Sequence, residues 1–156
     1  MSNTRICFVR HGETNWNAER RMQGHIDIPL NANGISQAER LANALIRVKH
    51  SFDVIYSSDL ERALHTANAV ARALSLDVQI TPRLRERNVG KLQGLLLAEA
   101  PVLLPEIWQR HIARELDHDL VGGESIRTFH QRMQDILELF LNEHRGQSVL
   151  AVSHGG

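Results

Sequence analysis

Ile6-Cys7-Phe8-Val9-Arg10-His11-Gly12-Glu13 is the stretch from which the rest of the chain can be read. Four apolar residues rich in β-branched and aromatic types describe a short buried strand. It delivers an arginine, a histidine and a glycine to the edge of a sheet. A second run, Val149-Leu150-Ala151-Val152, does the same for Ser153-His154-Gly155-Gly156. Ligands of open α/β sheets bind outside the carboxyl ends of the strands. Two histidines delivered in this way are expected to meet in space, at a histidine-based phosphoryl site.

Between the two runs, strand and helix signals alternate. Residues 13–33 are polar and irregular, with Gly24, Pro29 and the turn pair Asn33-Gly34. Ser36 with Glu39 has the capping-box spacing that opens a helix. Ala38, Leu41, Ala42, Leu45 and Ile46 supply that helix with one apolar face. Asp53-Val54-Ile55-Tyr56-Ser57 reads as a second strand. Ser58 or Asp59 would cap the helix that follows, which carries Leu60, Ala63, Leu64, Ala67, Val70, Ala71 and Leu74. Val78 and Ile80 suggest a short third strand. Residues 82–105 lose periodicity apart from a short helix near Leu95–Ala100, and a further helix is expected over Glu106–Glu115. The strongest helix begins near Glu124 or Ser125, with Ile126, Phe129, Met133, Ile136, Leu137, Phe140 and Leu141 on one face. Alternation of this kind predicts a single α/β domain over residues 1–156. The expected architecture is a three-layer sandwich, a mostly parallel central sheet with helices on both faces.

Bulk properties narrow the function classes. The 156 residues carry 18 basic and 18 acidic side chains, so no overall field attracts nucleic acid or an acidic membrane. No stretch approaches the ~20 apolar residues of a membrane span. Four apolar residues after the N-terminus are too few for a signal-peptide core. The single cysteine, Cys7, reads as a small buried hydrophobe in a reducing compartment. These features point to a cytoplasmic protein with no nucleic-acid or membrane partner, and they leave the oligomeric state open.

Transfer of a phosphoryl group needs positive charge around its oxygens and an in-line nucleophile. Arg10 offers a planar fork of donors. His11 can act as the nucleophile, because imidazole is substantially neutral near pH 7. Arg62, near the start of the helix after the second strand, is expected over the same sheet end; a surface ion pair is its alternative reading. His25, His50, His65, His111, His118, His130 and His144 match no motif, and Asp117-His118-Asp119 lacks metal-ligand spacing and reads as a solvated loop. No metal and no cofactor is expected.

Arg10-His11-Gly12-Glu13-Thr14 with Trp16-Asn17, Gly24, Pro29-Leu30-Asn31 and Gly34 resembles the opening of the histidine phosphatase superfamily, which includes the cofactor-dependent phosphoglycerate mutases. Ser57-Ser58-Asp59-Leu60-Glu61-Arg62-Ala63 with Thr66-Ala67 is similar to that family's second arginine motif. Leu84-Arg85-Glu86-Arg87-Asn88-Val89-Gly90 with Gly94 resembles its acid loop, and Val152-Ser153-His154-Gly155-Gly156 its second histidine. The resemblance implies a phosphohistidine formed on His11. It implies a phosphate pocket of Arg10, Arg62 and His154, with Asn17 as a further donor and Gln23 and Gly24 touching substrate. Glu86 would protonate the leaving group and then activate water, and two arginines with a second histidine would supply the charge without a metal.

Three activities follow from this resemblance. The leading one is hydrolysis of a small phosphomonoester. A mutase is the rival, but the stretch between Glu86 and His154 is modest and its basic residues, Arg87, Lys91, Arg110 and Arg114, are scattered. Arg110 and Arg114, spaced i, i+4, read as a solvated face or as a grip on an acidic substrate. A non-catalytic phospho-ligand module is the third. Relatives of this family continue through a helix and further sheet elements, so a truncation after Gly156 is expected, with a frayed His154 loop. The leaving group would be read by residues 15–29 and 91–124.

Overall fold

A computed structural model describes residues 3–47 and 51–155; His50 and Gly156 lie outside the described residues. Four strands, β1 (Arg5–Arg10), β2 (Val54–Ser57), β3 (Val78–Ile80) and β4 (Ser148–Ser153), form one parallel sheet in the order β1-β4-β2-β3. All four residues of β2 are buried, and so are all but the first of β4. That is the near-continuous apolar run of a strand covered on both faces.

Alternate residues of these strands feed two cores. Ile55, Leu150 and Val152 pack against α2 (Ala32–Ile46) and α3 (Glu61–Leu74), through Ala38, Ala42, Ala63, Ala67 and Val70. The small alanines let those helices lie close to the sheet. On the opposite face Val54, Tyr56, Val149 and Ala151 meet Ile136 and Phe140 of the long C-terminal helix, Ile126–Glu143. Phe140 is fully buried, its ring 4.7 Å from that of Tyr56; burial of such a side chain contributes roughly 1.5–3 kcal/mol. The expected three-layer arrangement is therefore present.

Four local expectations are corrected. Helix α2 begins at Ala32 rather than Ser36, because the Asn31 side chain accepts the Gly34 N–H and so caps the helix a turn earlier. Asn33-Gly34 accordingly lies inside its first turn. Neither Ser58 nor Asp59 occupies the cap position of α3, which falls to Leu60; Asp59 is drawn away by Arg85. The short helices are α1 (Asn15–Ala18), α4 (Ala100–Leu103) and α5 (Pro105–Ile112), with a proline in the first turn of both α4 and α5 setting where they start. The C-terminal helix, α6, is capped by Ser125 as expected, but Leu141 is half exposed, and Leu139 packs against the core instead. A third cluster, Val89, Leu92, Ala100 and Leu120 with Trp108 and Met22 around it, anchors the long irregular segment between β3 and α6.

Candidate active site

The carboxyl ends of β1 and β4 lie side by side, and the chain continues the pairing into the site: the His11 N–H donates to the Ser153 carbonyl at 3.0 Å. His11 and His154 are thereby brought together, their ring centroids 5.1 Å apart. His11 is only 8% exposed. Its Nδ1 lies 2.6 Å from the Gly12 carbonyl. A carbonyl can only accept, so Nδ1 carries the proton and Nε2 of the neutral ring holds the lone pair. Burial, together with the positive charges of Arg62 and Arg10, lowers the His11 pKa from 6.5 to about 4. At neutral pH the ring is uncharged, with its orientation fixed.

The loop bearing His11 is locked against the rest of the domain. The Gly12 N–H donates to Thr66 Oγ1 at 3.1 Å, and that hydroxyl donates to the Arg62 carbonyl at 2.9 Å. Gly12 and Gly34 sit back to back; a Cβ on Gly34 would collide with the Glu13 backbone. The glycines following β1 and opening α2 are required by this close approach.

Arg62 is 1% exposed and lines the same cleft as His11. Its two terminal nitrogens donate to the Ile26 carbonyl at 2.9 Å and the Gly24 carbonyl at 2.8 Å, which aims the guanidinium; Nε is buried with no partner among the described residues. The reading of Arg62 as a surface ion pair is excluded by that burial. Arg10, by contrast, is exposed and forms no side-chain hydrogen bond or ion pair among the described residues. It lies over Gly155, where a Cβ would stand 3.0 Å from the guanidinium carbon. His154 shares a 2.9 Å hydrogen bond between Nε2 and Ser58 Oγ, while Nδ1 is buried without a partner among the described residues. Burial, then the charges on Arg62, lower its pKa to about 2. Arg10 and Arg62 line one cleft with His154 behind them; the unpartnered buried nitrogens of Arg62 and His154, and an Arg10 guanidinium with no partner among the described residues, are suited to a polyanion.

Glu86 closes the site from the acid loop. One carboxylate oxygen accepts the Arg87 N–H at 2.8 Å and the other accepts the Gly155 N–H at 3.2 Å, which ties this loop to the His154 loop. Its carbonyl accepts from His25 Nε2 at 2.7 Å and from Arg132 at 3.3 Å. Arg132 also donates to the carbonyls of Arg83 at 2.6 Å and Arg85 at 2.9 Å, and forms a fork on Glu124 at 2.9 and 2.8 Å. One guanidinium thus holds three carbonyls of the loop, those of Arg83, Arg85 and Glu86. Arg85 adds a bidentate pair with Asp59 at 2.7 and 2.6 Å. His25, which matches no motif, Glu124, which the sequence marks only as a helix start, and Arg132, an ordinary polar position on α6, are all part of this support.

Arg10, His11, Gln23, Gly24, Arg62, Glu86 and Gly155 share one cleft of about 980 Å³. Gly24 contributes its carbonyl to Arg62, and Gln23 lies 2.9 Å from the Thr14 hydroxyl. Asn17 is placed differently. Its amide oxygen completes a capping box with Thr14, and the residue lines a smaller neighbouring cavity shared with Arg10 and His11. Its NH₂ remains a candidate donor from that side. Among the described residues no group of three His, Cys, Asp or Glu side chains is placed to hold a metal, and no helix is long and apolar enough to cross a membrane.

This geometry has relatives. The chain is 40% identical over 153 residues to phosphoglycerate mutase-like protein 4 of Arabidopsis thaliana, covering 97% of this chain and 66% of that protein. It is 40% identical over 155 residues to a metal-independent phosphoserine phosphatase of the same plant, covering 98% and 65%. The chain therefore spans about two thirds of the length of these curated relatives. The solved structure of Bacillus stearothermophilus YhfR superposes with a TM-score of 0.87 at 34% identity, over 97% of this chain and 74% of that one. Residues 6–156 also match the family model for branch 1 of the histidine phosphatase superfamily, and the chain belongs to that family.

Proposed function

We propose that the protein hydrolyses phosphomonoesters through a phosphohistidine on His11. The observation that carries this reading is the buried, neutral His11 ring, its Nδ1–H held by Gly12 and its Nε2 left to react, beside two guanidiniums and a carboxylate. The names of the relatives, a mutase-like protein and a phosphoserine phosphatase, support phosphoryl chemistry on small molecules.

Arg10, Arg62 and His154 bind the phosphoryl oxygens, with Asn17 as an additional donor, and so neutralise charge as the bond to phosphorus breaks. Nε2 of His11 attacks phosphorus, the ester P–O bond breaks, and Glu86 gives its proton to the leaving oxygen. A water then attacks the phosphohistidine while Glu86 takes its proton; inorganic phosphate leaves and His11 is restored. Burial, with the charge of Arg62 second, holds the two imidazoles neutral; the incoming phosphoryl dianion offsets that charge and favours the positive charge that His11 takes on as its bond to phosphorus forms. The guanidiniums supply the positive charge that a metal provides elsewhere.

Phosphate release from a panel of phosphomonoesters, with wild type beside His11→Ala, tests the proposal. Release that is abolished by the substitution is expected. Isomerisation of 3-phosphoglycerate exceeding release would replace hydrolysis by mutase chemistry, and tight binding of phosphate esters without turnover would replace it by a binding role.

A further inference from the structure

The cleft extends well beyond the phosphate pocket. Clefts of its size bury drug-sized ligands, and its outer half has a character of its own. Met22, Val89, Leu97, Ile112, Ile126 and Phe129 form an apolar wall there. Ile126 and Phe129, which the helical periodicity assigned to the core, face this space instead.

Set in that wall are three nitrogen-bearing side chains that the chemistry described above does not use: Arg87, His111 and Arg114. Arg87 is buried, with two of its nitrogens tied to the carbonyls of Glu124 and His118. His111 has its Nδ1 buried without a partner among the described residues. Burial and the charges of Arg87 and Arg114 lower its pKa. The i, i+4 pairing of Arg110 with Arg114 does not survive in the fold, because α5 ends at Ile112. Arg110 instead pairs with Glu115 at 2.9 Å. Arg114 lies past the helix end at φ +53°, a backbone conformation uncommon for arginine, and forms no ion pair among the described residues.

The charges in the cleft do not balance. Four guanidiniums line it against one carboxylate, Glu86. Arg10 and Arg62 are matched by a phosphoryl dianion, and Arg87 faces the carboxylates of Glu124 and Glu86; Arg114 is left over. We infer that the substrate is an extended phosphomonoester whose leaving group has an apolar body and a second anionic group, held by Arg114 with Arg87 and His111 beside it. This inference rests on the proposed hydrolase activity and names the class of ester that it takes.

The test compares three esters: 3-(4-phosphonooxyphenyl)propanoate, 4-propylphenyl phosphate and 3-phosphoglycerate. The first two have the same body and leaving group and differ in the carboxylate; the third has a carboxylate and no apolar body. The first is expected to show the lowest KM, about tenfold below the second, the size of one charge-assisted contact. Arg114→Gln is expected to erase that difference, whereas Arg40→Gln, on the exposed face of α2, leaves it intact. Equal KM values for the two aryl esters, an equal rise for both in Arg114→Gln, or a lowest KM for 3-phosphoglycerate would each overturn the inference. Wild-type protein that turns over none of the three refutes the hydrolase reading separately. Calorimetry with the matching benzylphosphonates then decides the binding claim by the same carboxylate preference and the same loss in Arg114→Gln.

Discussion

Acid should unfold this protein through the two histidines of the candidate site before it reaches the carboxylates. His11 and His154 are held neutral in the fold, with pKa values near 4 and 2 against 6.5 for a free imidazole. Below pH 6.5 the unfolded chain binds protons at these rings that the folded chain refuses, so stability rises with pH and is lost as pH falls. At pH 5 a free imidazole is almost fully protonated and both folded rings remain mostly neutral. The interval of 1.5 pH units, at about 1.36 kcal/mol each, amounts to about 2 kcal/mol per ring, or about 4 kcal/mol for the pair. A typical domain has only about 5–15 kcal/mol to lose. Urea unfolding of wild type, His11→Asn and His154→Asn at pH 7.5 and 5.0 measures this directly. Each asparagine variant should lose about 2 kcal/mol of the pH dependence, whatever its stability at pH 7.5, while His25 and His111, whose pKa values burial also lowers, keep a remainder in both variants. Added phosphate should flatten the wild-type slope, because a dianion in the pocket favours the charged rings. Identical slopes in wild type and both variants would refute the claim that these rings are held neutral by the fold.

Three further outcomes follow from particular contacts. Arg132→Met strands Glu124 and strips donors from the carbonyls of Arg83, Arg85 and Glu86; loss of about 3 kcal/mol is expected by thermal denaturation, with kcat falling more than KM changes and partial rescue in Arg132→Lys. Glu86→Gln should lower kcat about 10²–10⁴-fold for alkyl phosphates and much less for nitrophenyl phosphate, whose leaving group needs no proton; an equal loss for both would remove Glu86 from the proton transfer. Gly34→Ala forces a methyl group into the Glu13 backbone, and chemical denaturation should show a loss of about 3 kcal/mol or more. Wild-type stability in the Gly34→Ala variant would show that the contact between the His11 loop and α2 can open without cost.

The strands that carry the site were legible because their chemistry is local. The continuous apolar run of β4 is buried as expected, whereas β1, at the edge of the described sheet, has no fully buried residue and Phe8 is 46% exposed; in both, the residue after the strand sits at the sheet end by geometry alone. Arg10, His11 and His154 were found in this way, and Arg62 followed from the helix after β2. The boundaries that misread were decided by competition between neighbouring caps: Asn31 caps α2 before Ser36 can, and Asp59 is taken by Arg85. The supports of the acid loop were not legible. Arg132 sits 46 residues from Glu86 in the chain, and on α6 it reads as an ordinary polar position. Nor could periodicity tell that Ile126 and Phe129 face a cleft rather than a core, since an apolar wall and an apolar core carry the same pattern. Asn17 is a partial case, its residue type suited to donation but its oxygen committed to the cap of α1.

Hydrolysis by the proposed route requires that Nε2 of His11 become covalently phosphorylated. Rapid quenching during turnover of a ³²P-labelled ester, followed by peptide mapping, tests this most directly. A label on His11 that survives alkali, is lost in acid, and is absent from His11→Ala is the expected result. Turnover by wild type with no such label, or with the label on another residue, would contradict it.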